Sequence, residues 1–407
     1  MFTRILKCCE IKDMFLVGQK KPGFTSVCEL NDERQQPCDD KEFAAGGSEF
    51  VGWTTGTTGL PKCVQRPESL FLGSILRHAA LQILTPGDVF LGDSNISCLL
   101  IFSMWLLALH VGSAILVSKT CRTIPEDVIE ALKDCEAVTM FTFPLKLRRM
   151  LNAMKASEDL AITLKKCLRK LLVIGTSTPA ALAEELVNTF KLDEFRSGYG
   201  MTEAGGFLAV PPSGEVSGTN QGFPVPSTKM KVIDTDTGKI LGPLEGGEVI
   251  FYTPFAATGY FGDPEAADEL TDKHGWIHTG DLGYYDNDGR LFLCGRLKTL
   301  LECQSRKFPP SDIEHCLMDH EAVEEVSVLG MPPEDIQQFP AAVVVTKSGF
   351  ARDHQLAEDL KRYVAVSRAG HPRQSLERPE ASRASFAHRQ VLDNDELRHP
   401  PPPARPH

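Results

Sequence analysis

Residues 96–117, ISCLLIFSMWLLALHVGSAILV, run for 22 positions without an Asp, Glu, Lys or Arg. A charge-free stretch of that length either crosses a bilayer or lies inside a protein core. Gly112 and Ser113 divide it into a helix-length piece and a short β-branched piece, AILVS. That is the order of a buried helix feeding a buried parallel strand, so we read the run as core and expect no membrane span. The surrounding composition agrees: 42% apolar and 24% charged residues are those of a globular chain. A formal charge of −11 argues against a surface that coats nucleic acid. Twelve cysteines are scattered without a C-x-x-C pair, and Lys7 interrupts the opening MFTRILKCCEIKD too early for a signal-peptide core. A reducing, intracellular compartment fits these features. Neither cysteines nor histidines show zinc-ligand spacing and H-E-x-x-H is absent, so no structural metal is expected.

Helix-like and strand-like segments alternate through the middle of the chain. EDVIEALKDCE precedes AVTMFTF; LKLRRMLNAM follows, then LRKLLVIG and ALAEELVNTF. Such alternation predicts an α/β domain with a parallel sheet. From about Thr228 the pattern turns to short strands and tight reversals, KMKVIDTDTGKI and YYDNDGRLFLCG, which read as hairpins of a β-rich subdomain. After Gly295 a small α+β unit is expected: PPSDIEHCLMDH and AEDLKRYVAV as helices, VEEVSVLGM and PAAVVVTK as strands. The organisation is therefore a large domain over 1–295, a small C-terminal domain over 296–365 and an Arg-, Pro- and His-rich tail over 366–407. That tail is poor in apolar residues and is read as disordered.

The stretch GWTTGTTGLPKC, residues 52–63, crowds three glycines and four threonines ahead of Lys62. Glycine costs backbone entropy wherever it is ordered, so this density needs a cause. Glycines let backbone N–H groups converge, threonine hydroxyls add donors and a lysine adds a mobile point charge, which together make an anion cradle. The spacing departs from G-x-x-x-x-G-K-[ST], because Cys63 follows Lys62. A flexible Gly/Thr linker would have the same composition.

Three further stretches decide between the two: YGMTEAGG at 199–206, GYFGDPEAADE at 259–269 and GWIHTGDLGYYDNDGRLFLCGR at 275–296. With the Gly/Thr loop ahead of them, the chain resembles the acyl-adenylate-forming enzymes from about Lys12 to Ala365. The likeness is greatest to the branch of 4-coumarate–CoA ligases, acyl-CoA synthetases and beetle luciferases. The resemblance implies an ATP-dependent acid–thiol ligase with ATP/AMP, Mg²⁺ and CoA, acting on a small-molecule carboxylic acid, cytoplasmic or peroxisomal and linked to fatty acid metabolism. It implies that Thr54, Thr55, Gly56, Thr57, Thr58, Gly59 and Lys62 wrap the β- and γ-phosphates. Tyr199 with Gly200 would line adenine, Thr202 would donate to the α-phosphate and Glu203 would hold Mg²⁺. Asp281 would accept from the ribose hydroxyls and Arg296 would reach ribose or phosphate. Lys62, Thr202 and Glu203 are the implied catalytic residues. His274, His278 and His315 receive no role, because an ionised carboxylate needs no general base.

The chain also departs from the family. Only about fifty residues precede the phosphate loop, so the large adenylation domain is expected to be partial. Cys63 replaces a usual glycine; Asn95 to Cys98 replace an aromatic–histidine pair; Thr176, Ser177 and Thr178 stand for Gly-Gly-Ala. Glu302 and Ser305 occupy hinge positions usually basic and glycine. No lysine follows Lys361, where the family's last lysine motif is expected. These departures keep two alternatives open beside the ligase: a nucleotide-binding pseudoenzyme or regulatory partner, and a luciferase-like oxygenase.

Overall fold

The computed structural model describes residues 15–16, 25–26, 49–54, 62–92, 98–116, 132, 135, 137–175, 178–261, 270–303, 306–331, 339–347 and 349–370. The first strands, β1 (Phe15–Leu16) and β2 (Thr25–Ser26), pair in parallel. Strands β3 (Glu49–Trp53) and β4 (Cys63–Pro67) pair antiparallel with Trp53 opposite Cys63. Helix α1 (Glu68–Ala79) leaves β4 directly.

The apolar run gives the helix, stop and parallel strand that its punctuation predicts, but the strand is not buried as expected. It lies at the edge of its sheet, with Ala114 exposed and Ile115 and Leu116 half-buried. After β5 (Val89–Gly92), helix α2 (Leu99–Val111) buries Ile101, Met104, Leu107 and Ala108. It stops at Gly112, whose φ of +80° is the left-handed cap that glycine adopts without strain. Strand β6 (Ala114–Leu116) follows and pairs in parallel with β5. Among the described residues no helix is long and apolar enough to cross a membrane.

Next come β7 (Val138–Thr142), α3 (Pro144–Ala156), α4 (Glu158–Cys167), β8 (Leu168–Val173), α5 (Ala180–Thr189) and β9 (Glu194–Ser197). Pro144 opens α3, where its missing N–H costs nothing, and Ser157 caps α4 by accepting from Leu160 N. The five strands form one parallel sheet in the order β6-β5-β7-β8-β9. All five residues of β7 are buried, as a strand covered on both faces requires. One apolar cluster, with Leu147, Leu151, Leu168 and Leu186, lies against α3–α5; a second, with Phe71, Phe90, Ile101 and Met104, lies under α1 and α2. The expected helix EDVIEALKDCE falls largely outside the described residues.

Beyond β9 the chain becomes β-rich. Strand β10 (Tyr199–Met201), a 3-10 turn at Thr202–Ala204, β11 (Gly206–Val210) and β12 (Phe223–Pro224) make one small sheet. Strands β13 (Lys229–Ile233), β14 (Gly247–Tyr252), β16 (Ile277–Tyr285) and β17 (Leu291–Arg296) make another, in the order β13-β14-β16-β17. The Asp286 carboxylate accepts from the N–H groups of Asp288 and Arg290 and shapes the β16–β17 turn. KMKVIDTDTGKI does reverse at Asp234, but β13 takes β14 as its ladder partner, because residues 234–240 form only a tight turn. Strand β15 (Gly259–Tyr260) joins β4 at the edge of the β3–β4 pair.

The last unit contains β18 (Leu301–Cys303), β19 (Arg306–Phe308), α6 (Pro310–Met318), β20 (Val323–Met331), β21 (Phe339–Thr346) and α7 (His354–Gly370). Leu301, Ile313, Leu317, Val323, Val328, Leu360 and Val364 form its own core, which makes it the α+β unit expected. Helix α7 continues through Gly370, so residues 366–370, read from composition as the start of a disordered tail, are helical. The Ala and Arg residues there favour helix, and a 17-residue helix anchored at Leu360 and Val364 carries them along.

Candidate active site

Asp281 and Arg296 face each other across β16 and β17, so strand register alone brings an acid opposite a base. The Asp281 carboxylate lies 2.8 Å from Arg296 Nε and accepts from the Tyr199 hydroxyl at 2.5 Å. Arg296 also donates to the Thr279 carbonyl at 3.2 Å; Thr279 Oγ1 donates to the Val249 carbonyl and accepts from Asp281 N. The Asp281 side chain is 9% exposed and that of Arg296 47%, so the acid is fixed while the guanidinium reaches solvent. Burial pushes the Asp281 carboxyl above its ordinary value, opposed by the Tyr199 hydrogen bond and the Arg296 charge. Burial, then the neighbouring Asp281, drives the Tyr199 phenol well above its own. Tyr199 therefore stays protonated and donates.

One turn further on, Thr202–Ala204 forms the 3-10 turn, which ends at Gly205 and Gly206 with φ of +82° and +99°. A side chain at either glycine would be strained and would strike Arg66 or His78. Gly200 is also sterically required, since a Cβ there would run into the Gly206 carbonyl. The Glu203 carbonyl accepts from Ala257 N at 2.7 Å, and its Oε1 accepts from the Tyr260 hydroxyl at 3.2 Å. Lys62 Nζ sits 4.6 Å above the centre of the Tyr260 ring.

Lys62 is exposed at the mouth of the Gly/Thr loop. Thr54 closes the neck: its N–H donates to the Lys62 carbonyl at 2.9 Å and its hydroxyl accepts from Lys62 N at 3.3 Å. Thr54 thus spends these groups on the β3–β4 pair. Thr55, Gly56, Thr57, Thr58 and Gly59 lie outside the described residues.

Behind the turn lies a group that sequence reading missed. Arg66, Arg77 and His78 are 1%, 6% and 0% exposed. Arg77 donates to the carbonyls of Gly205 and Phe207 and to the hydroxyls of Thr228 and Thr253. Arg66 donates to the Phe255 carbonyl at 2.8 Å, and His78 Nε2 accepts from Phe207 N at 3.2 Å. Burial lowers both guanidinium pKa values to about 10, which leaves them charged at neutral pH. Burial and the two arginines lower His78 well below the usual imidazole value, so it is neutral and can accept. Nothing in local sequence marks these arginines as buried, since arginine is ordinarily a surface residue. Tyr260 was missed too, although its motif GYFGDPEAADE is visible.

The structure thus gathers Lys62, Tyr199, Glu203, Asp281 and Arg296 into two linked sets, with Thr202 on the same turn. Of the positions that depart from the family, Thr178 is buried and its hydroxyl has no partner among the described residues; Cys98 stands at the N-cap position of α2 without a side-chain capping hydrogen bond. Asn95, Thr176, Ser177 and Ser305 lie outside the described residues, and Glu302 stands in register with Lys307 in the backbone ladder of β18 and β19. Among the described residues no three His, Cys, Asp or Glu side chains converge as a metal cage.

The sequence matches the AMP-binding enzyme family over residues 8–261 and the AMP-binding enzyme C-terminal domain over residues 312–379. It is 31% identical to a luciferin 4-monooxygenase of Nipponoluciola cruciata over 87% of this chain and 62% of that protein. It is 30% identical to 4-coumarate–CoA ligase 1 of Arabidopsis thaliana over 89% of this chain and 64% of that one. The fold is similar to that of O-succinylbenzoate coenzyme A synthetase from Bacillus subtilis in complex with AMP, with a TM-score of 0.62 and 25% identity over 77% of this chain and 61% of that one. The chain therefore spans a little over three-fifths of the length of these relatives.

Proposed function

The chain belongs to the AMP-binding enzyme family, and from that premise we propose that it binds ATP, activates a carboxylic acid as acyl-AMP and passes the acyl group to CoA. The observation that carries the reading is Asp281, a buried acceptor held on a β-strand and braced by Tyr199 and Arg296. A pair of vicinal ribose hydroxyls is the kind of donor that such a carboxylate can hold. In the first half-reaction an oxygen of the substrate carboxylate attacks the α-phosphorus and the bond to pyrophosphate breaks. In the second, the CoA sulfur attacks the acyl carbonyl, AMP leaves and the thiol proton passes to solvent.

Each residue has a part in managing charge. Lys62 and the loop behind it bind the β- and γ-phosphates, Thr202 donates to the α-phosphate and Tyr199 with Gly200 borders adenine. Such preoriented donors usually supply the largest catalytic term. Glu203 suits Mg²⁺, because one hard carboxylate completed by phosphate oxygens and water is how that ion is commonly held. The ion, when bound, neutralises phosphate charge. The substrate classes to test first are medium-chain and long-chain fatty acids and aromatic acids. The compartment is the cytoplasm or peroxisome, with no nucleic-acid partner.

The test is calorimetry with ATP and AMP, followed by acid-dependent ATP–pyrophosphate exchange. Nucleotide binding with exchange supports the ligase, and no binding by the folded chain overturns it. A second reading, binding without turnover, draws on the absence of lysine after Lys361. Its signature is ATP binding with no exchange on any acid. Oxygen consumption dependent on ATP and an acid would instead favour an oxygenase, for which the likeness to luciferin 4-monooxygenase speaks.

A further inference from the structure

Residues 257–261 form a strap between the two halves of the candidate site. On one side Ala257 N donates to the Glu203 carbonyl at 2.7 Å. On the other, Thr258 N donates to the Gln65 carbonyl at 3.2 Å and Phe261 N to the Cys63 carbonyl at 2.7 Å, while β15 pairs Gly259 with Gln65 and Tyr260 with Val64. The strap is thus bonded through its backbone both to the turn carrying Glu203 and to the strand that leaves the Gly/Thr loop. Tyr260 is the side chain it places between Glu203 and Lys62.

We infer that Tyr260 is a positioning residue that holds Glu203 and Lys62 on opposite parts of one phenol and keeps the two charges from neutralising each other. Its hydroxyl donates to Glu203 Oε1 at 3.2 Å, and its ring lies under Lys62 Nζ at 4.6 Å. A carboxylate that accepts one directed hydrogen bond is fixed in orientation yet keeps lone pairs for another ligand. An ammonium over an aromatic face is held electrostatically without losing its N–H donors. A direct Lys62–Glu203 ion pair would satisfy both groups and leave less for an incoming anion and cation; among the described residues no such pair forms. The phenol therefore preorganises one group for phosphate and the other for a divalent cation. The inference rests on the nucleotide reading above and adds a residue to it.

Tyr260→Phe keeps the ring under Lys62 and deletes only the donor to Glu203. Calorimetric titration of ATP at increasing Mg²⁺ should show the half-saturating Mg²⁺ concentration rising about fivefold to tenfold, the size expected for one ordinary hydrogen bond that orients the ligand without being lost to it. Binding of AMP without metal should stay within about twofold of the parent. The effect should vanish in a Glu203→Gln background, because the donor then has no carboxylate to orient. Tyr260→Leu, which also removes the seat of Lys62, should weaken metal-free ATP binding as well. An unchanged Mg²⁺ dependence in folded Tyr260→Phe overturns the inference. So does an equal loss of metal-free AMP binding, which marks a purely structural role, or an effect that persists undiminished with Glu203→Gln. If the folded parent chain binds no nucleotide, the reading of the site falls first and this inference with it.

Discussion

At Asp281 a buried charge meets an opposite charge, whereas at Arg66 and Arg77 two buried charges meet carbonyl and hydroxyl oxygens, one neutral imidazole and the rings of Phe71 and Phe255. Removing a charged group from water is costly unless hydrogen bonds or a counter-charge replace the solvent. The Asp281 pair meets that requirement with a counter-charge. The arginine cluster meets it in part with neutral acceptors, leaving Arg66 Nε, Arg77 Nε and His78 Nδ1 buried without a hydrogen-bond partner among the described residues. Arg77 is held by acceptors at four positions, Gly205 in the turn before β11, Phe207 in β11, Thr228 just ahead of β13 and Thr253 just past β14, so it cannot move without disrupting all of them. Arg296 shares a carboxylate and one carbonyl, is half exposed and can swing toward a ligand. Dipoles lock a charge in place; a half-exposed ion pair leaves one partner available.

Loss of Arg77 should have the largest effect. Arg77→Met deletes four hydrogen bonds and strands buried carbonyls of Gly205 and Phe207, which should cost about 3–4 kcal/mol in urea unfolding at roughly 1–3 kcal/mol per unsatisfied buried group. Arg77→Lys should recover little of it, because a single ammonium lacks the planar fork that reaches acceptors on several segments. A loss below about 1 kcal/mol would break the comparison, since the cluster would then be no lock.

Asp281→Asn should act on binding more than on folding. On the proposed ribose role it weakens the acceptor, and nucleotide affinity measured by calorimetry should fall by about 10- to 100-fold, the range for hydrogen bonds to a charged acceptor. Stability should change far less than for Arg77→Met, because the amide still accepts from Tyr199. Equal effects on stability and affinity would erase the distinction between the clusters.

The same contrast has a smaller, pH-dependent form. The folded-state pKa of Asp281 is raised, so between the unfolded value of 3.8 and the raised value the folded chain binds more proton than the unfolded one. Stability from this group is therefore greatest at low pH and falls as pH rises through that window. Nucleotide affinity should move the other way, falling on acidification with a midpoint above the ordinary carboxylate value. Stability curves and AMP titrations against pH, compared with Asp281→Asn, check both signs; an unchanged slope in the variant removes the assignment.

An exposed pair sets the lower end of the scale. Arg149 and Glu325 meet at 3.2 Å between α3 and β20, with side chains 61% and 44% exposed. Arg149→Ala should change stability by less than about 0.5 kcal/mol, as screened surface pairs do. A larger loss in chemical denaturation would show that this contact between α3 and the C-terminal unit does more than touch.

Much of the architecture was readable because it is written in local pattern. The 96–117 run announced a helix, a glycine stop and a strand, and the YYDNDGRLFLCG segment announced a hairpin. The end of the last helix was misplaced by composition, because a helix begun by apolar anchors propagates into residues that would not start one. The roles of Tyr260 and the buried arginines were not readable. Glu203 and Tyr260 are 57 positions apart, and Arg77 reaches acceptors 128 to 176 positions away.

Sequence alone picked out, through its resemblance to the acyl-adenylate-forming enzymes, the residues proposed to meet a nucleotide: the Gly/Thr loop with Lys62, the Tyr199–Glu203 segment, Asp281 and Arg296. The anion-cradle character of the loop follows from composition within a short window, where φ freedom, hydroxyl donors and charge are properties of the residues themselves; the roles of the other residues rest on the resemblance. Tertiary structure decided which charges are free to act. Strand pairing of β15 with β4 set Tyr260 between Lys62 and Glu203, and the packing of α1 behind Gly205–Gly206 turned Arg77 from a surface cation into a fixed strut. The reason is that burial and hydrogen-bond partnership depend on contacts between segments far apart in the chain, which no local window contains.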